Sequence, residues 1–374
     1  MGGSQRPRLP ARQALLPKED RQAFAGPFSC APARARDPRI YRHLQAVDAA
    51  TNSALTLGRR PVHVGSPAAT GSRSPGKTFE LRVENRTIWT LWHQGFADAP
   101  PLVQACLESW RRFNPGWRVI ALDRHSLPDY FDIAEVIDPA RRDLDVTKIS
   151  NLTRLCLLRR YGGLWTDATV FCLRPLDDWL DGAYDAGFFA FRNPARDRMM
   201  ATWLIASEPD NPLLVALHAA FLDFVNRRNF SNQNTAFGRY VVDRLTPILR
   251  QDVRRTTLWL NPLVQSLLRA YPYFFFHYLF NRLILTRPDL RALWERVGHI
   301  EARPLHTLQN YARQPDALAD ALSELERSDW QVQKLNWRSD LATPYWSAVM
   351  RDLTGRVPRE GPGHSVQLAR GSGR

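Results

Sequence analysis

The stretch LLRRYGGLWTDATVF, residues 157–171, decides the fold of this protein. Its first half is typical of the end of a helix, and Gly162 and Gly163 stop that helix because glycine adopts positive φ angles without steric cost. The residues that follow, LWTDATVFCL, are rich in β-branched and aromatic side chains and predict a buried strand. This strand carries one carboxylate, Asp167, with Thr169 two positions later. A helix that leads directly into a buried strand indicates an α/β protein.

The same alternation runs through the preceding residues. RTIWTLW (86–92) and WRVIALD (117–123) predict strands, a helix that begins near Pro101 separates them, and the helix DVTKISNLTRLCLLRRYGG precedes the third strand. AGFFAFRN predicts a further strand, and the remainder is mainly helical with short β pieces. We therefore expect an α/β domain with a largely parallel sheet flanked by helices and a helical C-terminal part.

The ends of these strands locate a candidate site. Trp92, Asp123 and Asp167 each stand at the carboxyl end of a predicted strand. Ligands of open parallel sheets bind outside the carboxyl ends of the strands, so these three side chains are expected around one ligand.

Charge is unevenly distributed along the chain. The 374 residues carry a net charge of +14, and residues 1–79 contribute 13 Lys and Arg against 4 Asp and Glu, a net of +9. The other residues hold 38 basic against 33 acidic side chains, a net of only +5. Because most of the excess precedes the predicted domain, charge is weak support for a nucleic-acid partner, and none is predicted.

Composition divides the chain into three parts. Residues 1–80 and 353–374 are rich in Pro, Arg and Gly and are predicted to be disordered, and residues 81–352 are predicted to form a single domain. The four cysteines have no CxxC spacing and are expected to be free thiols in a reducing compartment. There is no apolar run of the roughly 18 residues that a transmembrane helix needs and no secretory signal. A cytoplasmic location is expected, with the inner face of the membrane as the alternative.

Two long segments resemble a known family. IWTLWHQGFADAPPLVQACLESWRRFNPGWRVIALD and KISNLTRLCLLRRYGGLWTDATVF are similar to the capsular polysaccharide synthesis family, which is related to family 32 glycosyltransferases and their D-x-D sugar-binding region. The resemblance covers about residues 86–180, and PYFFFHYLFNRLI and VQKLNWR further on also resemble the family. It implies a Rossmann-like GT-A fold and the transfer of a hexose from a nucleotide-sugar to a polysaccharide or lipid-linked glycan, with retention of anomeric configuration.

The resemblance gives Asp167 and Arg154 the catalytic roles. Asp167 would bind a divalent cation, Mn²⁺ or Mg²⁺, that neutralises the departing diphosphate. Thr169 stands in place of the second acid of D-x-D and could offer a hydroxyl, and the loss of that acid should weaken metal affinity. Arg154 matches the arginine of an S-D-x-x-R element and would contact the sugar or the diphosphate through its planar fork. The simpler interpretations are that Asp167 caps a turn and that Arg154 is a surface charge.

Other residues are expected to bind the donor. Asn151 replaces the usual acid of S-D-x-x-R on the same helical face as Arg154 and could hydrogen-bond a sugar hydroxyl. The main role of Gly162 and Gly163 is to end the helix, and in addition they would let the backbone approach the ligand. Trp92 is predicted to stack on the base, and Asp123 to bind the ribose or the base. Lys334 is predicted to close over the diphosphate from a late loop. Gln94, near Trp92, is a further candidate for binding the donor. Core packing of Trp92, a turn at Asp123 and an exposed Lys334 are the competing interpretations.

The segment AYPYFFFHYLFNRLI allows two interpretations. It is too short to span a bilayer and is either a buried helix or a helix at a membrane interface. Together with the basic tail, a helix at the interface would favour a peripheral contact with the membrane. Two rival functions also stay open: a catalytically degenerate scaffold that binds nucleotide or glycan, suggested by the missing second acid and by Asn151, and a nucleic-acid binder, suggested by charge alone.

Overall fold

The computed structural model describes most of the chain from residue 86 onward. The described ranges are 86–137, 146–227, 230–314 and 316–358. All of them lie within one compact unit, Gly71–Arg374. The tail predicted over residues 1–80 therefore lies outside the described residues, as does most of the tail predicted from residue 353.

Seven strands form two sheets within the described residues. The main sheet has the order β2-β1-β3-β6-β5, and β4 pairs with β7 in a second, two-stranded sheet. Their bounds are β1 (Thr87–Leu91), β2 (Arg118–Leu122), β3 (Gly163–Thr166), β4 (Val170–Cys172), β5 (Phe188–Ala195), β6 (Arg198–Ser207) and β7 (Val332–Lys334).

The direction of the strands confirms a mostly parallel central sheet. β1 is parallel to both β2 and β3, whereas β6 is antiparallel to β3 and to β5. β5 therefore runs in the same direction as the first three strands, and β6 alone is reversed. All five residues of β1 are buried, in keeping with its β-branched and aromatic composition.

Helices flank the main sheet and make up the C-terminal part. The α-helices are α1 (Pro101–Phe113), α2 (Ile133–Val136), α3 (Val146–Tyr161), α4 (Pro212–Arg227), α5 (Ala236–Leu249), α6 (Val253–Thr256), α7 (Pro262–Leu268), α8 (Phe275–Thr286), α9 (Pro288–Arg296), α10 (Thr307–Tyr311), α11 (Leu318–Arg327) and α12 (Pro344–Arg356). Short 3₁₀ helices occur at Leu127–Asp129, Leu176–Asp178, Asp181–Ala183, Thr257–Leu260 and Arg303–His306. The predicted α/β domain with a helical C-terminal part is confirmed.

Three details differ from the sequence-based expectations. LWTDATVFCL is not one strand, because residues 167–169 leave the main sheet and β4 pairs with β7 instead. The ten-residue strand β6 lies in a part of the chain for which the sequence pattern predicts mainly helix. The last helix runs to Arg356, beyond the domain end predicted at residue 352, and its Leu353 is fully buried.

The aromatic segment forms a buried helix. α8 buries most of its large side chains, Phe275, Phe276, Tyr278 and Phe280 among them. Of the two interpretations of this segment, a buried helix and a helix at a membrane interface, the structure shows the buried helix. Among the described residues, no helix combines the length and the apolar character that crossing a bilayer requires. Cys106, Cys156 and Cys172 are free thiols, as expected, whereas Cys30 lies outside the described residues.

Candidate active site

The ends of three neighbouring strands place the predicted site at one edge of the main sheet. β1 lies between β2 and β3 and is parallel to both. The residues that follow these strands, Trp92, Asp123 and Asp167, therefore lie along the same edge. The peptide N–H of Trp92 donates to the carbonyl of Leu122 at 3.0 Å, which joins the ends of the first two strands.

Asp167 lies between two cations. Its Oδ1 accepts from Nη2 of Arg154 at 2.8 Å and from the indole Nε1 of Trp165 at 3.1 Å. Its Oδ2 lies 3.3 Å from Nζ of Lys334. The Asp167 N–H donates to the carbonyl of Trp203 at 2.8 Å, so β6 fixes the backbone at this point.

Burial and charge act on Asp167 in opposite directions. Burial by itself raises the pKa of this carboxyl group, but Lys334 and Arg154, with hydrogen bonds from Trp165 and Lys334, outweigh it and hold the pKa below its usual value. Asp167 is therefore a carboxylate at neutral pH. One negative charge faces two positive ones, so the cluster keeps an excess of positive charge that suits an anionic ligand.

Arg154 is a buried residue rather than a surface charge. Its side chain is 5% exposed. The guanidinium lies 5.3 Å from the ring centre of Trp165 and 5.6 Å from that of Phe276. Its Nε is buried and has no hydrogen-bond partner in the described part of the chain. Arginine stays charged when buried, so this site carries a fixed cation with an unused donor.

Lys334 lies in a strand rather than in a late loop. It is opposite Val170 in the β4–β7 pair. The N–H of Leu335 donates to the carbonyl of Thr169 at 2.8 Å, and Nε2 of Gln309 donates to the Lys334 carbonyl. Lys334 Nζ also donates to Oγ1 of Thr169. The side chain is only 17% exposed, so the ammonium is positioned by the sheet.

The side chains around Asp167 do not fit a divalent cation. Mn²⁺ and Mg²⁺ need several oxygen ligands, but both carboxylate oxygens of Asp167 and the hydroxyl of Thr169 already accept from cationic or indole donors. Within residues 86–137, 146–227, 230–314 and 316–358, no group of three or more His, Cys, Asp and Glu side chains could hold a metal ion. The metal ion at Asp167 stays a prediction that this arrangement does not favour.

Trp92 is half-buried beside a second indole. Its ring centre lies 5.7 Å from that of Trp337, with the two planes at 79°, an edge-to-face geometry. The guanidinium of Arg338 lies 4.7 Å from the ring centre of Trp337. Trp337 follows β7, so the strand that carries Lys334 also brings an indole to Trp92.

Asp123 has the turn-forming role that was one of its two interpretations. Its Oδ1 accepts from the N–H groups of His125 and Ser126, both at 2.8 Å, and from Oγ of Ser126. Burial by itself raises the pKa of Asp123, but these hydrogen bonds together outweigh burial and hold the pKa below its usual value. Gln94 is exposed in the neighbouring loop. Among the described residues, no hydrogen bond or ion pair joins Asp123 or Gln94 to Asp167, and only the strand order places them near it.

Asn151 and the two glycines have different surroundings. Asn151 is 5% exposed on α3, in the helical turn before Arg154. Gly162 and Gly163 have φ angles of 68° and 93°, as the helix end requires. A Cβ on Gly162 would lie 2.7 Å from Cδ of Pro209, so this glycine is needed for packing as well as for its φ angle.

Sequence reasoning missed two histidines near the cations. Nε2 of His277 lies 3.2 Å from Oγ1 of Thr202, and its buried Nδ1 has no partner in the described residues. Burial, then Arg198 and Arg154, lower its pKa well below the usual value. Burial, then Lys334 and Arg198, lower the pKa of His306 to about 4. Both imidazoles are neutral at pH 7. No local pattern marks them, because a histidine in an apolar segment is usually structural.

Comparison with known proteins agrees with the resemblance inferred from the sequence. Residues 73–245 match the model of the family described as capsular polysaccharide synthesis protein. The chain is also similar to the O-glycosyltransferase braB of Annulohypoxylon truncatum, with 29% identity over 150 residues that cover 35% of each chain.

Two further similarities have the same limited extent. The glycosyltransferase afumC of Aspergillus fumigatus is 31% identical over 109 residues, which are 25% of this chain and 27% of that one. The O-glycosyltransferase PaGT of Phomopsis amygdali is 26% identical over 157 residues, which are 37% and 38%. The match therefore spans about a third of the length of these curated relatives. The solved structure of PaToxG glycosyltransferase aligns with 72% of this chain and 87% of its own, at 11% identity and a TM-score of 0.31.

Proposed function

We propose that this protein is a glycosyltransferase that moves a hexose from a nucleotide-sugar to a hydroxyl of a polysaccharide or lipid-linked glycan. The observation that carries the proposal is the pair of cations, the buried Arg154 and the partly buried Lys334, on either side of Asp167 at the carboxyl end of β3. This is the edge of an α/β sheet at which ligands bind. The similarity of residues 73–245 to capsular polysaccharide synthesis proteins supports a role in cell-surface polysaccharide synthesis.

The reaction breaks the bond between the anomeric carbon and the diphosphate. The electron pair of that bond goes to the departing phosphate oxygen, the acceptor oxygen bonds to the anomeric carbon, and the acceptor proton passes to the departing phosphate. Arg154 and Lys334 stabilise the charge that develops on the diphosphate, and Asp167 holds both cations in position. Departure and attack on the same face of the sugar give retention of configuration.

The other predicted residues bind the rest of the donor. Trp92, with Trp337 at its edge, offers a flat face for the base. The backbone turn at Asp123 and the side chain of Gln94 lie at the same sheet edge. Asn151 is one helical turn from Arg154 and contacts a sugar hydroxyl. Two of the relatives are named O-glycosyltransferases, which supports an oxygen atom as the acceptor.

A nucleotide-release assay over a panel of nucleotide-sugars tests this function. The full chain is assayed with Mn²⁺, with Mg²⁺ and with EDTA, and the anomeric configuration of the product is read by NMR. We expect one donor to be turned over with retention. Absence of nucleotide release and of sugar transfer for every donor in all three conditions would refute the proposal.

A catalytically degenerate scaffold is the second candidate function. The threonine at position 169 favours it, since related enzymes are expected to use an acid there. Titration calorimetry separates the two candidates, because a scaffold binds a nucleotide or glycan but neither hydrolyses nor transfers the sugar.

A peripheral contact with the inner face of an anionic membrane is also part of the proposal. Phe237 and Ile248 on α5 are 58% and 53% exposed, and Leu263 and Leu267 on α7 are 79% and 77% exposed. Arg244 lies on the same face of α5 as Phe237 and Ile248, by helical spacing. Exposed apolar side chains interspersed with arginine suit the surface of an anionic bilayer, where a lipid-linked acceptor would lie.

Co-sedimentation with vesicles tests this contact. We expect the full chain to bind vesicles that contain phosphatidylglycerol more strongly than vesicles of phosphatidylcholine alone. The double substitution Leu263→Ser with Leu267→Ser should weaken binding, and thermal unfolding verifies that the variant is folded. Equal binding by the double variant and the original chain would contradict the contact.

A further inference from the structure

The ammonium group of Lys334 lies where a bound cation would be expected in a D-x-D enzyme. It contacts Oδ2 of Asp167 at 3.3 Å and also Oγ1 of Thr169. These residues occupy the first and third positions of the 167–169 stretch, the two places at which D-x-D enzymes carry their acids. One protein cation thus bridges the two side chains that would otherwise hold a metal ion.

The backbone keeps this ammonium in place. Lys334 pairs with Val170 in the two-stranded sheet, and two hydrogen bonds fix the peptide bond that follows it, one from the N–H of Leu335 to Thr169 and one from Gln309 to the Lys334 carbonyl. The lysine is therefore part of the same structural unit as Thr169, and its charge requires no rearrangement before a ligand binds. Such preorganised charge is the most effective kind for stabilising a leaving group.

The local charge opposes a second cation at the same place. Arg154 lies 2.8 Å from the other carboxylate oxygen, so Asp167 is already shared between two positive groups. A divalent ion at Asp167 would be within a few ångströms of both and would be repelled by them in a partly buried site. A diphosphate, in contrast, is attracted by the excess positive charge.

We propose that Lys334 takes the place of the divalent cation, so that this protein binds and expels the nucleoside diphosphate without a metal ion. The inference rests on the proposed function. In the transfer step, the electron pair released from the anomeric carbon goes to a phosphate oxygen that accepts hydrogen bonds from Lys334 and Arg154. Lys334 touches the leaving group and is therefore a catalytic residue in this account.

Binding of nucleoside diphosphates to the full chain tests the inference without relying on turnover. The affinities of UDP, GDP, ADP, CDP and dTDP are measured by calorimetry in EDTA, in Mn²⁺ and in Mg²⁺. We expect one of them to bind with affinities that agree within about threefold in all three conditions. Binding that needs Mn²⁺ or Mg²⁺ would overturn the inference but leave the proposed function standing. If none binds in any condition, both fail.

Substitution of the lysine supplies a second readout. Lys334→Met should weaken nucleotide binding at least about tenfold in EDTA, and Lys334→Arg should restore part of it. The matched control is Arg174→Met, because Arg174 pairs with the exposed Asp329 at the opposite end of the same two-stranded sheet. Equal affinity of Lys334→Met and Arg174→Met would overturn the inference, and thermal unfolding verifies that each variant is folded.

A double substitution completes the test. Thr169→Asp with Lys334→Ala places two acids around the position that the ammonium now occupies. We expect this variant to bind the nucleotide weakly in EDTA and at least about tenfold more tightly in Mn²⁺. No gain with Mn²⁺ would mean that Lys334 does not stand in for a metal ion, and would overturn the inference.

Discussion

At the residue scale, the site depends on one carboxylate that positions two cations. Asp167 holds Arg154 through one oxygen and Lys334 through the other. Arg154 comes from a helix and Lys334 from a strand far along the chain. Among the described residues around them, the Asp167 carboxylate is the only group that pairs with both cations. Removing its charge should therefore disturb both partners at once.

Asp167→Asn is predicted to reduce turnover by about 10²-fold or more while the protein stays folded. Asparagine keeps the shape of the side chain, but it no longer offsets the charge of Arg154 and Lys334 or holds them in place. Turnover is measured by nucleotide release, and folding by the thermal unfolding midpoint. Asp329→Asn is the matched control, since this side chain is 99% exposed. An unaltered rate in Asp167→Asn would remove Asp167 from the mechanism.

At the scale of elements, the junction of α3 with β3 depends on a glycine. Gly162 has a φ of 68°, and an added Cβ would lie 2.7 Å from Cδ of Pro209 and 3.1 Å from the carbonyl oxygen of Ser207. Both the backbone angle and the space therefore favour glycine. This junction sets the position of Arg154 relative to Asp167.

Gly162→Ala is predicted to destabilise the protein by about 1 to 3 kcal/mol, because the substitution adds strain at a positive φ and a steric clash. Gly355→Ala is the matched control on α12, where the added Cβ would point into open space. It should stabilise the protein by up to about 1 kcal/mol, because alanine favours a helix. Urea unfolding measures both, and equal effects of the two substitutions would contradict this account.

The contact between α3 and α4 contains a histidine that should make stability depend on pH. Nη1 of Arg159 lies 2.9 Å from Nδ1 of the buried His218. Burial, then the charge of Arg159, lower the pKa of His218 from 6.5 to about 4. The imidazole is therefore neutral in the folded protein, and the unfolded chain binds a proton first as the pH falls below 6.5. Stability is complete above this pH and is lost progressively toward pH 4.

His218→Gln should remove this part of the pH dependence. Glutamine can accept the hydrogen bond from Arg159 but does not titrate. The free energy of unfolding lost between pH 7 and pH 4 should be smaller in the variant by on the order of 2 to 3 kcal/mol. Urea titrations at both pH values provide the measurement. His306 titrates over a similar range, so a remaining dependence is expected, but identical losses in the two proteins would refute the role of His218.

At the scale of the whole molecule, the hydrophobic core is built by residues between Ile88 and Leu353. Both are fully buried, and one large cluster of apolar side chains includes residues from the main sheet, α1, α3, α8 and α12. The core therefore draws on nearly the whole of the described chain, including the helix that follows Lys334. The strand that carries Lys334 is tied to the sheet region by this packing.

A chain that begins at residue 80 is predicted to unfold cooperatively with the same midpoint as the full chain and to release nucleotide at a similar rate. The physical reason is that residues 1–79 are rich in Pro, Arg and Gly and have few aromatic side chains, so they are expected to bury little apolar area. Thermal unfolding and the donor assay provide the measurements. A lower midpoint or a loss of cooperativity in the shortened chain would contradict the predicted domain limits.

The sequence by itself determined the α/β architecture and the sheet edge at which the candidate site lies. Periodicity and glycine positions identified β1, β2 and α3, since these are local signals that adjacent residues carry. Parallel strands end at the same edge, so the positions of Trp92 and Asp167 followed from the strand predictions alone. Arg154 was recognised through the resemblance to known glycosyltransferases.

Only the tertiary structure decided how charge is distributed in the site. Asp167 and Lys334 are 167 residues apart, and the pairing of β4 with β7 that joins them is a long-range contact without a local signature. For the same reason the local pattern of LWTDATVFCL predicts one strand, although its two halves join different sheets. His277 and His306 also acquire their surroundings from distant residues. Local patterns specify elements, whereas the contacts that perform chemistry depend on which elements meet.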